Sequence, residues 1–551
     1  MTTNAIFTLP RPQNETVLDY APGSIEREIL KNELVKQKGI QVDIPLIIGG
    51  KEIRTGKTVN VVSPHDHRHI LGVCHLGGEK EVNMAIEAAM KVKNEWEEMD
   101  WHHRASIFLK AGELLSTKYR AVLNAATMLG QSKTCYQAEI DSACELIDFY
   151  RFNAHYLQEI YRTQQVHNSK GVWNRIEYRA LEGFVFAVTP FNFTAIAGNL
   201  PMSPAIMGNV VLWKPASTSL LSNYYIMQIL KEAGLPDGVI NFLPGSGGNI
   251  GDPAIDSELF SGIHFTGSTG VFRSIWQRIA SNIRKYRSYP KTVGETGGKD
   301  FIFVHSSANF EEVAVAAVRG AFEYQGQKCS AASRMYVPRS MWKKLKPLLT
   351  EMTESIKMGD VCDFTNFMGA VIDHKSFDNT MSYITKSKES AEAEVIAGGT
   401  GDDKNGYFIR PTIVETSNPH FITMEEEIFA PVLSVFVYEE SKFEETMELC
   451  DTTSPYALTG AIFATDRNAI IKSEKILRHC AGNFYINDKP TGAVVGQQPF
   501  GGARGSGTND KAGSHLNLVR WVSPRTIKET FVPPVSYDYK YMSDNNLCKK
   551  E

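Results

Sequence analysis

The strongest constraint on the fold is an alternation of short apolar runs with helical stretches in the middle of the chain. The runs FVFAVTP, NVVLWKP, VINFLPG and GIHFTGS are rich in β-branched and aromatic residues and end in proline, glycine or small polar residues. Helix-like segments such as SNYYIMQILKEAGLP separate them. This alternation predicts a parallel sheet with crossover helices. Ligands of such sheets bind beyond the carboxyl ends of the strands, so the residues after each run are candidates for a site.

A second alternating segment begins near residue 300 and leads to an unusual cysteine. Asn309 with Glu312 three residues later is typical of a helix start, and Gly326 is expected to end that helix. Cys329 then falls on a loop before the strand SRMYVP. The sequence therefore predicts a cysteine on a connection rather than in a core.

Cys329 is a candidate nucleophile. Its neighbours are small or polar, and Lys328 stands beside it, whereas a core cysteine usually has bulky apolar neighbours. A nearby cation or backbone N–H groups favour the reactive thiolate, and Lys328 and the flexible Gly326 are compatible with that. The alternative, a buried inert thiol, fits other cysteines such as Cys144 and Cys450.

Two further polar residues could take part in catalysis. Glu295 ends the extended run PKTVGE between glycines, where a carboxylate in an apolar pocket can act as a general base. Asn192 lies between two phenylalanines in an uncharged stretch. Its amide either caps a helix or faces a ligand, where it could stabilise an oxyanion.

The composition excludes several classes of protein. The chain has 551 residues, a net charge of −4 and 42 % hydrophobic residues, which fits a globular protein without a basic surface for nucleic acid. Eight cysteines without a C-x-x-C pair argue against a disulfide framework or a zinc site. His65, His67 and His69 are expected to form a solvated turn rather than a metal site. We expect no membrane insertion, because prolines and asparagines interrupt the uncharged stretch 183–213.

The motifs together resemble the aldehyde dehydrogenase superfamily over about residues 45–530. The matching series is Asn192, Lys214, FTGSTG at 265–270, Glu295 in ETGGK, Cys329 in GQKCSA and EEIFAPV at 426–432. Two residues depart from the family pattern: Thr296 replaces a leucine, and Ala430 replaces a glycine. Longer segments, such as EGFVFAVTPFNFTAIAGNLP, resemble the members that oxidise L-glutamate γ-semialdehyde to L-glutamate, the second step of proline degradation.

The resemblance implies a role for each motif. Cys329 would attack the aldehyde, Asn192 would hold the oxyanion, and Glu295 would activate water to hydrolyse the thioester. The implied cofactor is NAD, with some NADP use because Ser217 replaces a glutamate common in NAD-preferring relatives. The residues expected to bind the cofactor are Phe191, Lys214, Ser217, Gly245, Gly267, Ser268, Glu427 and Phe429.

The implied substrate carries an α-carboxylate as well as an aldehyde. The resemblance places the carboxylate at Gly492 and Ala493, with the hydroxyl of Ser330. Phe193 and Phe500 would flank the aliphatic chain, and Glu145 would line the pocket. No metal is implied. Alternatives that remain are a related enzyme acting on succinate semialdehyde and a non-enzymatic use of the same fold.

The implied architecture is α/β, with two doubly wound domains and a small β flap for oligomerisation. The NAD-binding domain would comprise residues 1–164 and 183–294, and the catalytic domain residues 295–505. The flap and tail would comprise 165–182 and 515–551. We expect at least a homodimer and functional coupling to a separate proline dehydrogenase. The expected location is the mitochondrial matrix in a eukaryote or the cytoplasm in a bacterium, with no clear presequence in the first residues.

Overall fold

A computed structural model describes residues 5–543 of the chain. Its strands are β1 Val42–Ile44, β2 Leu46–Ile48, β3 Lys51–Ile53, β4 Thr58–Ser63, β5 Asp66–His75, β6 Val172–Arg179, β7 Phe184–Val188, β8 Val210–Lys214, β9 Ile240–Phe242, β10 Phe260–Thr266, β11 Lys291–Glu295, β12 Asp300–Val304, β13 Ala332–Pro338, β14 Ala393–Ala397, β15 Gly401–Asp402, β16 Phe408–Ile409, β17 Thr412–Thr416, β18 Val432–Tyr438, β19 Tyr456–Ala457, β20 Thr459–Phe463, β21 Asn483–Ile486, β22 Ala503–Arg504 and β23 Ser523–Thr530.

The helices precede, separate and flank these strands. They are α1 Ile25–Lys38, α2 Glu79–Glu98, α3 Trp101–Ser116, α4 Arg120–Gln131, α5 Cys135–Ala138, α6 Leu146–Arg162, α7 Thr194–Ile206, α8 Leu220–Ala233, α9 Gly247–Asp256, α10 Thr269–Ser281, α11 Phe310–Phe322, α12 Arg339–Glu354, α13 His374–Glu389, α14 Ile422–Glu425, α15 Phe443–Thr452, α16 Arg467–Ile476 and α17 His515–Leu518. A π-helix, Glu139–Glu145, joins α5 to α6, and short 3₁₀ segments cover Glu323–Gly326, Glu440–Lys442, Val519–Trp521 and Lys540–Met542.

The first large sheet has seven strands in the order β11-β10-β7-β8-β9-β2-β3. Its first five strands are parallel, and the hairpin β2–β3 is added antiparallel at one edge. Strands β7 and β8 are apolar and almost wholly buried, as expected for parallel strands covered on both faces. The predicted alternation in the middle of the chain is confirmed.

The second large sheet also has seven strands, in the order β14-β17-β18-β13-β12-β20-β21. All neighbouring pairs are parallel except β14–β17 at the edge. Helix α11 begins at the predicted cap, because the Asn309 side chain accepts hydrogen bonds from the N–H groups of Glu311 and Glu312. The helix ends at Phe322, four residues before Gly326, so the predicted end was too late.

Two smaller sheets complete the part of the fold that concerns the site. Strands β6 and β23 pair antiparallel over eight residues each, which brings the segments predicted to form the flap together in one ribbon. A three-stranded sheet, β1-β5-β4, follows α1. The predicted α/β class is confirmed. Within residues 5–543, no helix combines the length and the apolar character that crossing a bilayer requires.

The predicted solvated histidine turn is wrong for His65. This side chain is 5 % exposed and forms hydrogen bonds with the hydroxyls of Ser63 and Ser132. Burial lowers the pKa of His65 to about 4, so the ring is neutral. The histidine therefore joins the small sheet to the end of α4.

Candidate active site

Cys329 lies on a loop whose backbone is held in an uncommon conformation. Tyr324 and Gln325 have φ values of 52° and 56°, and Gly326 follows with 66°. A Cβ atom on Gly326 would lie 2.3 Å from the carbonyl oxygen of Ala430, so glycine is needed here. The Gln325 amide donates to the carbonyls of Ser132 and Ala370 at 3.0 and 2.7 Å. These bonds fix the loop that presents the cysteine.

The surroundings of the Cys329 thiol disfavour its ionisation. It is 8 % exposed, and burial raises its pKa well above the ordinary value, with further contributions from Glu295 and other carboxylates. Lys328 instead forms an ion pair with Glu323, with 3.2 Å between Nζ and Oε2. Lys328 therefore shares its charge with Glu323, and its assistance to ionisation of the thiol stays a prediction.

Glu295 is the last residue of β11, and a segment much later in the chain holds its backbone in place. Glu295 pairs with Gly507 in an isolated antiparallel bridge, and the Thr296 N–H donates to the Ser506 carbonyl at 2.8 Å. Among the described residues, its Oε1 is buried without a hydrogen-bond partner. Burial raises the pKa of Glu295 well above its ordinary value. The Gly502 backbone is a hydrogen-bond partner of this carboxyl group, which leaves Oε1 as its unpaired oxygen.

Thr296, one of the two departures from the family pattern, adds a hydrogen bond between the end of β11 and this later segment. Its hydroxyl donates to the Gly505 carbonyl at 2.6 Å, a bond that leucine cannot form. The other departure, Ala430, is tolerated because the left-handed conformation falls on Phe429, with φ of 61°, rather than on Ala430.

Asn192 does not cap a helix. Helix α7 begins two residues later, and the Asn192 Nδ2 donates to the carbonyl of Gln327 at 3.0 Å. This contact brings the amide to the cysteine loop, two residues before Cys329. Of the two alternatives for Asn192, helix capping is therefore excluded, and the amide is bonded to the loop that carries Cys329.

Sequence reasoning missed the residue that does hold the start of α7. The carboxylate of Asp141 accepts hydrogen bonds from the N–H groups of Thr194 and Ala195 at 3.0 and 2.9 Å. It also pairs with Lys133 at 2.6 Å, and both side chains are fully buried. The Lys133 ammonium in turn lies 4.1 Å from the centroid of the Phe193 ring. This buried pair therefore positions the turn that carries Asn192 and Phe193.

Several residues predicted to bind a cofactor lie at or just after the carboxyl ends of parallel strands in the first sheet. Lys214 ends β8, Gly245 follows β9, and Gly267 and Ser268 follow β10. Burial lowers the pKa of Lys214 to about 8. Ser268 precedes α10 without forming a side-chain cap, so the first N–H groups of that helix remain available to an anion. Ser217 lies in an exposed turn after β8.

The remaining predicted cofactor residues come from different parts of the chain. The Glu427 Oε1 accepts from the Gly298 N–H at 2.8 Å, and burial raises the pKa of Glu427 to about 7. The Phe191 and Phe429 rings pack edge to face with centroids 5.9 Å apart. A Cβ atom on Gly297 would lie 2.0 Å from the Glu427 Oε2, so this glycine lets the carboxylate approach the backbone.

A cavity of about 290 Å³ is lined by Cys329 and by all the predicted substrate residues. Its lining includes Glu145, Phe193, Cys329, Ser330, Gly492, Ala493 and Phe500. Asn192 and Glu295 are not part of this lining. Such a volume is at the lower end of the range for small-molecule sites.

One wall of the cavity is the segment 489–500, which we call the anchor loop. The Ser330 hydroxyl forms a hydrogen bond with the Thr491 hydroxyl at 2.8 Å, which joins the cysteine loop to the anchor loop. The Lys489 ammonium donates to the Thr491 carbonyl at 3.0 Å, and Gly492 has a φ of 103°. The loop therefore offers a hydroxyl, a glycine backbone and a nearby cation to an anionic group.

The opposite wall includes the π-helix. Glu145 is its last residue, and burial raises the pKa of Glu145 well above its ordinary value. Single π-turns inside helices are frequent at functional sites because they redirect side chains. Here the π-helix supplies Asp141 to the start of α7 and Ile140, Cys144 and Glu145 to the cavity.

Comparisons with known proteins agree with this geometry. The family model described as "Aldehyde dehydrogenase family" matches residues 52–527. A relative from Dictyostelium discoideum, "Delta-1-pyrroline-5-carboxylate dehydrogenase, mitochondrial", is 54 % identical over 538 residues, which cover 97 % of this chain and 96 % of the relative.

Two solved structures are also similar. The Delta-pyrroline-5-carboxylate dehydrogenase from Mycobacterium tuberculosis bound with NAD is 48 % identical, with a TM-score of 0.95 and coverage of 98 % of this chain and 100 % of that chain. Proline utilization A from Bdellovibrio bacteriovorus is 28 % identical, with a TM-score of 0.90 and coverage of 96 % and 54 %. The fold, the arrangement of the cysteine, glutamate and asparagine loops and these similarities lead to one conclusion: the chain belongs to the aldehyde dehydrogenase family.

Proposed function

We propose that this protein oxidises L-glutamate γ-semialdehyde, the open form of Δ1-pyrroline-5-carboxylate, to L-glutamate with NAD, as the second step of proline degradation. The observation that carries the proposal is the single cavity in which the Cys329 thiol and the anchor loop face the same space. A γ-semialdehyde has an aldehyde and an α-carboxylate at opposite ends, which matches this pair of features. The names of the similar proteins support the same substrate.

Cys329 begins the reaction by attacking the aldehyde carbon through its sulfur. The thiol must first lose its proton to water that enters the cavity, because the thiolate is the nucleophile. The new alkoxide of the hemithioacetal would lie near the Asn192 amide and the backbone N–H of Cys329. Preorganised donors of this kind stabilise a developing negative charge.

The strand ends of the first sheet fit a dinucleotide. Lys214 would contact the adenosine ribose. The uncapped start of α10, with Gly267 and Ser268, would hold the pyrophosphate. Glu427 would accept a hydrogen bond from the nicotinamide ribose. NAD, when bound, accepts the hydride whose loss converts the hemithioacetal to a thioester. Glu295 would then take a proton from the water that hydrolyses the thioester on Cys329.

Cofactor selectivity depends on the turn after β8. Ser217 is exposed there and offers no carboxylate to repel a 2′-phosphate. We therefore expect NAD preference with measurable NADP use. The ratio of kcat/KM for the two cofactors tests this, and a strong NADP preference would contradict it.

Residues on two walls of the cavity would recognise different groups of the substrate. On the anchor loop, Ser330, Gly492 and Ala493 would bind the α-carboxylate. Phe193 and Phe500 would flank the chain between the two reactive groups. Glu145 on the opposite wall, when ionised, would face the α-ammonium group.

These assignments give separate roles to different segments of the chain. Residues 1–164 and 183–294 would bind NAD, and residues 295–505 would carry the catalytic cysteine and the anchor loop. The β6–β23 ribbon, in the segments 165–182 and 515–551, would pair with a second subunit, because an exposed ribbon has free edges. Residues 1–4 and 544–551 lie outside the described structure. Sedimentation in solution tests for the expected dimer or larger assembly.

Coupling and location remain part of the proposal. The chain matches about half of the proline utilization A chain, which supports cooperation with a separate proline dehydrogenase. The relative from Dictyostelium discoideum is named as mitochondrial, which supports the mitochondrial matrix if the chain comes from a eukaryote.

The direct test is NADH formation with Δ1-pyrroline-5-carboxylate, with succinate semialdehyde and propanal as competing substrates. We expect the highest kcat/KM with Δ1-pyrroline-5-carboxylate and no turnover by Cys329→Ala. A higher kcat/KM with succinate semialdehyde would assign the chain to another branch of the family.

A further inference from the structure

An arm that precedes α1 contributes to the wall of the catalytic cavity. Asn14, Glu15 and Val17 line the same cavity as Cys329 and the anchor loop. These residues come before residue 52, where the match to the family model begins. The arm therefore lies outside the segment that the family model matches, at a place where the substrate would bind.

Asn14 joins the anchor loop to helix α6. Its Nδ2 donates to the Asp148 Oδ2 at 2.7 Å and to the Val495 carbonyl at 2.8 Å. Its Oδ1 accepts from the Gln497 Nε2 at 3.0 Å. The side-chain amide thus uses both its N–H groups and its oxygen in one bridge.

The arm around Asn14 is itself fixed by charged groups. The Glu15 N–H donates to the Asp148 Oδ1 at 2.7 Å. The Glu15 carboxylate pairs with Arg120 and Arg151, each at 2.7 Å, and these three side chains are 11–26 % exposed. The Tyr20 hydroxyl donates to Glu139 at 2.8 Å at the start of the π-helix. A bridge built on this support can hold another segment in place.

The anchor loop depends on such a bridge. Gly492 and Gly496 have φ values of 103° and 81°, so the loop contains two residues with wide conformational freedom. Within residues 5–543, the side-chain hydrogen bonds that reach residues 493–498 from outside the loop involve Asn14. Without its N–H groups, the Asp148 carboxylate and the Val495 carbonyl would face each other as two acceptors.

We propose that Asn14 is a positioning residue that holds the anchor loop in the conformation that receives the α-carboxylate of the substrate. The arm thereby sets the preference for an aldehyde that carries a carboxylate. This inference rests on the proposed function. It predicts that loss of the bridge weakens binding of the semialdehyde but not of an aldehyde without a carboxylate.

The experiment compares Asn14→Ala, Asn14→Asp and Gln497→Ala with the wild-type full chain. Gln13→Ala is the matched control, because Gln13 is the exposed neighbour of Asn14. For each protein, KM and kcat are measured with Δ1-pyrroline-5-carboxylate and with propanal, together with the thermal midpoint.

Asn14→Ala should raise KM for Δ1-pyrroline-5-carboxylate about tenfold, the equivalent of one hydrogen bond to a charged group. KM for propanal should stay at the wild-type value. Asn14→Asp should have a larger effect because it places a second carboxylate beside Asp148. Gln497→Ala, on the exposed side of the bridge, should change KM in the same direction without affecting folding.

Each other outcome overturns the inference in a distinguishable way. Equal changes of KM for both aldehydes, or a fall in kcat and thermal midpoint alone, would mean that Asn14 is merely structural. An unchanged KM in an active enzyme would reject the role of the arm and leave the proposed function intact. A wild-type protein that does not oxidise Δ1-pyrroline-5-carboxylate would reject both.

Discussion

Replacing Asn192 with alanine should abolish most of the catalysis, with a separate and smaller loss of stability. The side chain is 3 % exposed and donates one N–H to the Gln327 carbonyl. An amide has a second N–H, which no protein group accepts in the described residues, and the proposed mechanism assigns this N–H to the oxyanion. Loss of one such donor typically lowers kcat by about 10²–10³, or about 2.7–4 kcal/mol in the barrier.

The stability effect is smaller and separable. Asn192→Ala leaves the buried Gln327 carbonyl without its partner, at a cost of about 1–3 kcal/mol. Asn223→Ala is the matched control, because Asn223 is equally buried and donates to the Ser219 hydroxyl on α8. Only the first variant should lose kcat.

Steady-state and rapid-mixing measurements of NADH, combined with thermal unfolding, make the comparison. Asn192→Asp should be at least as inactive as Asn192→Ala, because it replaces the donor with a negative charge. The reasoning is refuted if Asn192→Ala retains wild-type kcat, or if Asn223→Ala loses kcat to the same extent.

Three further predictions concern the groups around the cavity. Asp141→Ala should destabilise the protein by about 3–5 kcal/mol, because it leaves Lys133 buried without its partner. Adding Lys133→Met to the same chain should restore part of the thermal midpoint. No recovery of the thermal midpoint would argue against the importance of this ion pair. Burial raises the pKa of Glu295, and only the carboxylate form accepts a proton, so thioester hydrolysis should become faster as pH rises through that pKa. A Glu295→Gln variant with the same pH profile as the wild type would contradict this prediction. Ser330→Ala should raise KM for the semialdehyde much more than KM for an aliphatic aldehyde, since it removes the hydroxyl bonded to the anchor loop; equal effects on both would remove Ser330 from carboxylate binding.

The strand ends could be predicted because their pattern is local. An apolar run that stops at a polar or small residue marks the carboxyl end of a parallel strand, and Lys214 and Glu295 occur at such ends. Cys329 could be placed on a loop for a similar reason, because the helix before it and the strand after it each have their own signals. The approach of these segments to one another depends on the packing of the two sheets, and the sequence supplied it only through the family resemblance.

Other parts of the site left no readable signal. Asp141 and Lys133 occur in a stretch of helical pattern, where charged residues usually face solvent, and the π-helix between residues 139 and 145 has no periodicity of its own. Asn14 lies in a polar arm with few apolar residues, so nothing marked it as part of a cavity. The pairing of Lys328 with Glu323 was also not predictable, because adjacency in sequence does not decide which carboxylate an ammonium meets.

The central claim is that Cys329 becomes covalently acylated by the substrate and that Glu295 is needed to release the acid. The most direct measurement is the mass of the peptide containing Cys329 after Glu295→Gln has reacted with Δ1-pyrroline-5-carboxylate and NAD. The account predicts a single burst of NADH and a glutamyl thioester on Cys329, with no adduct in Cys329→Ala. Continuous turnover without an adduct, or an adduct on another residue, would contradict it.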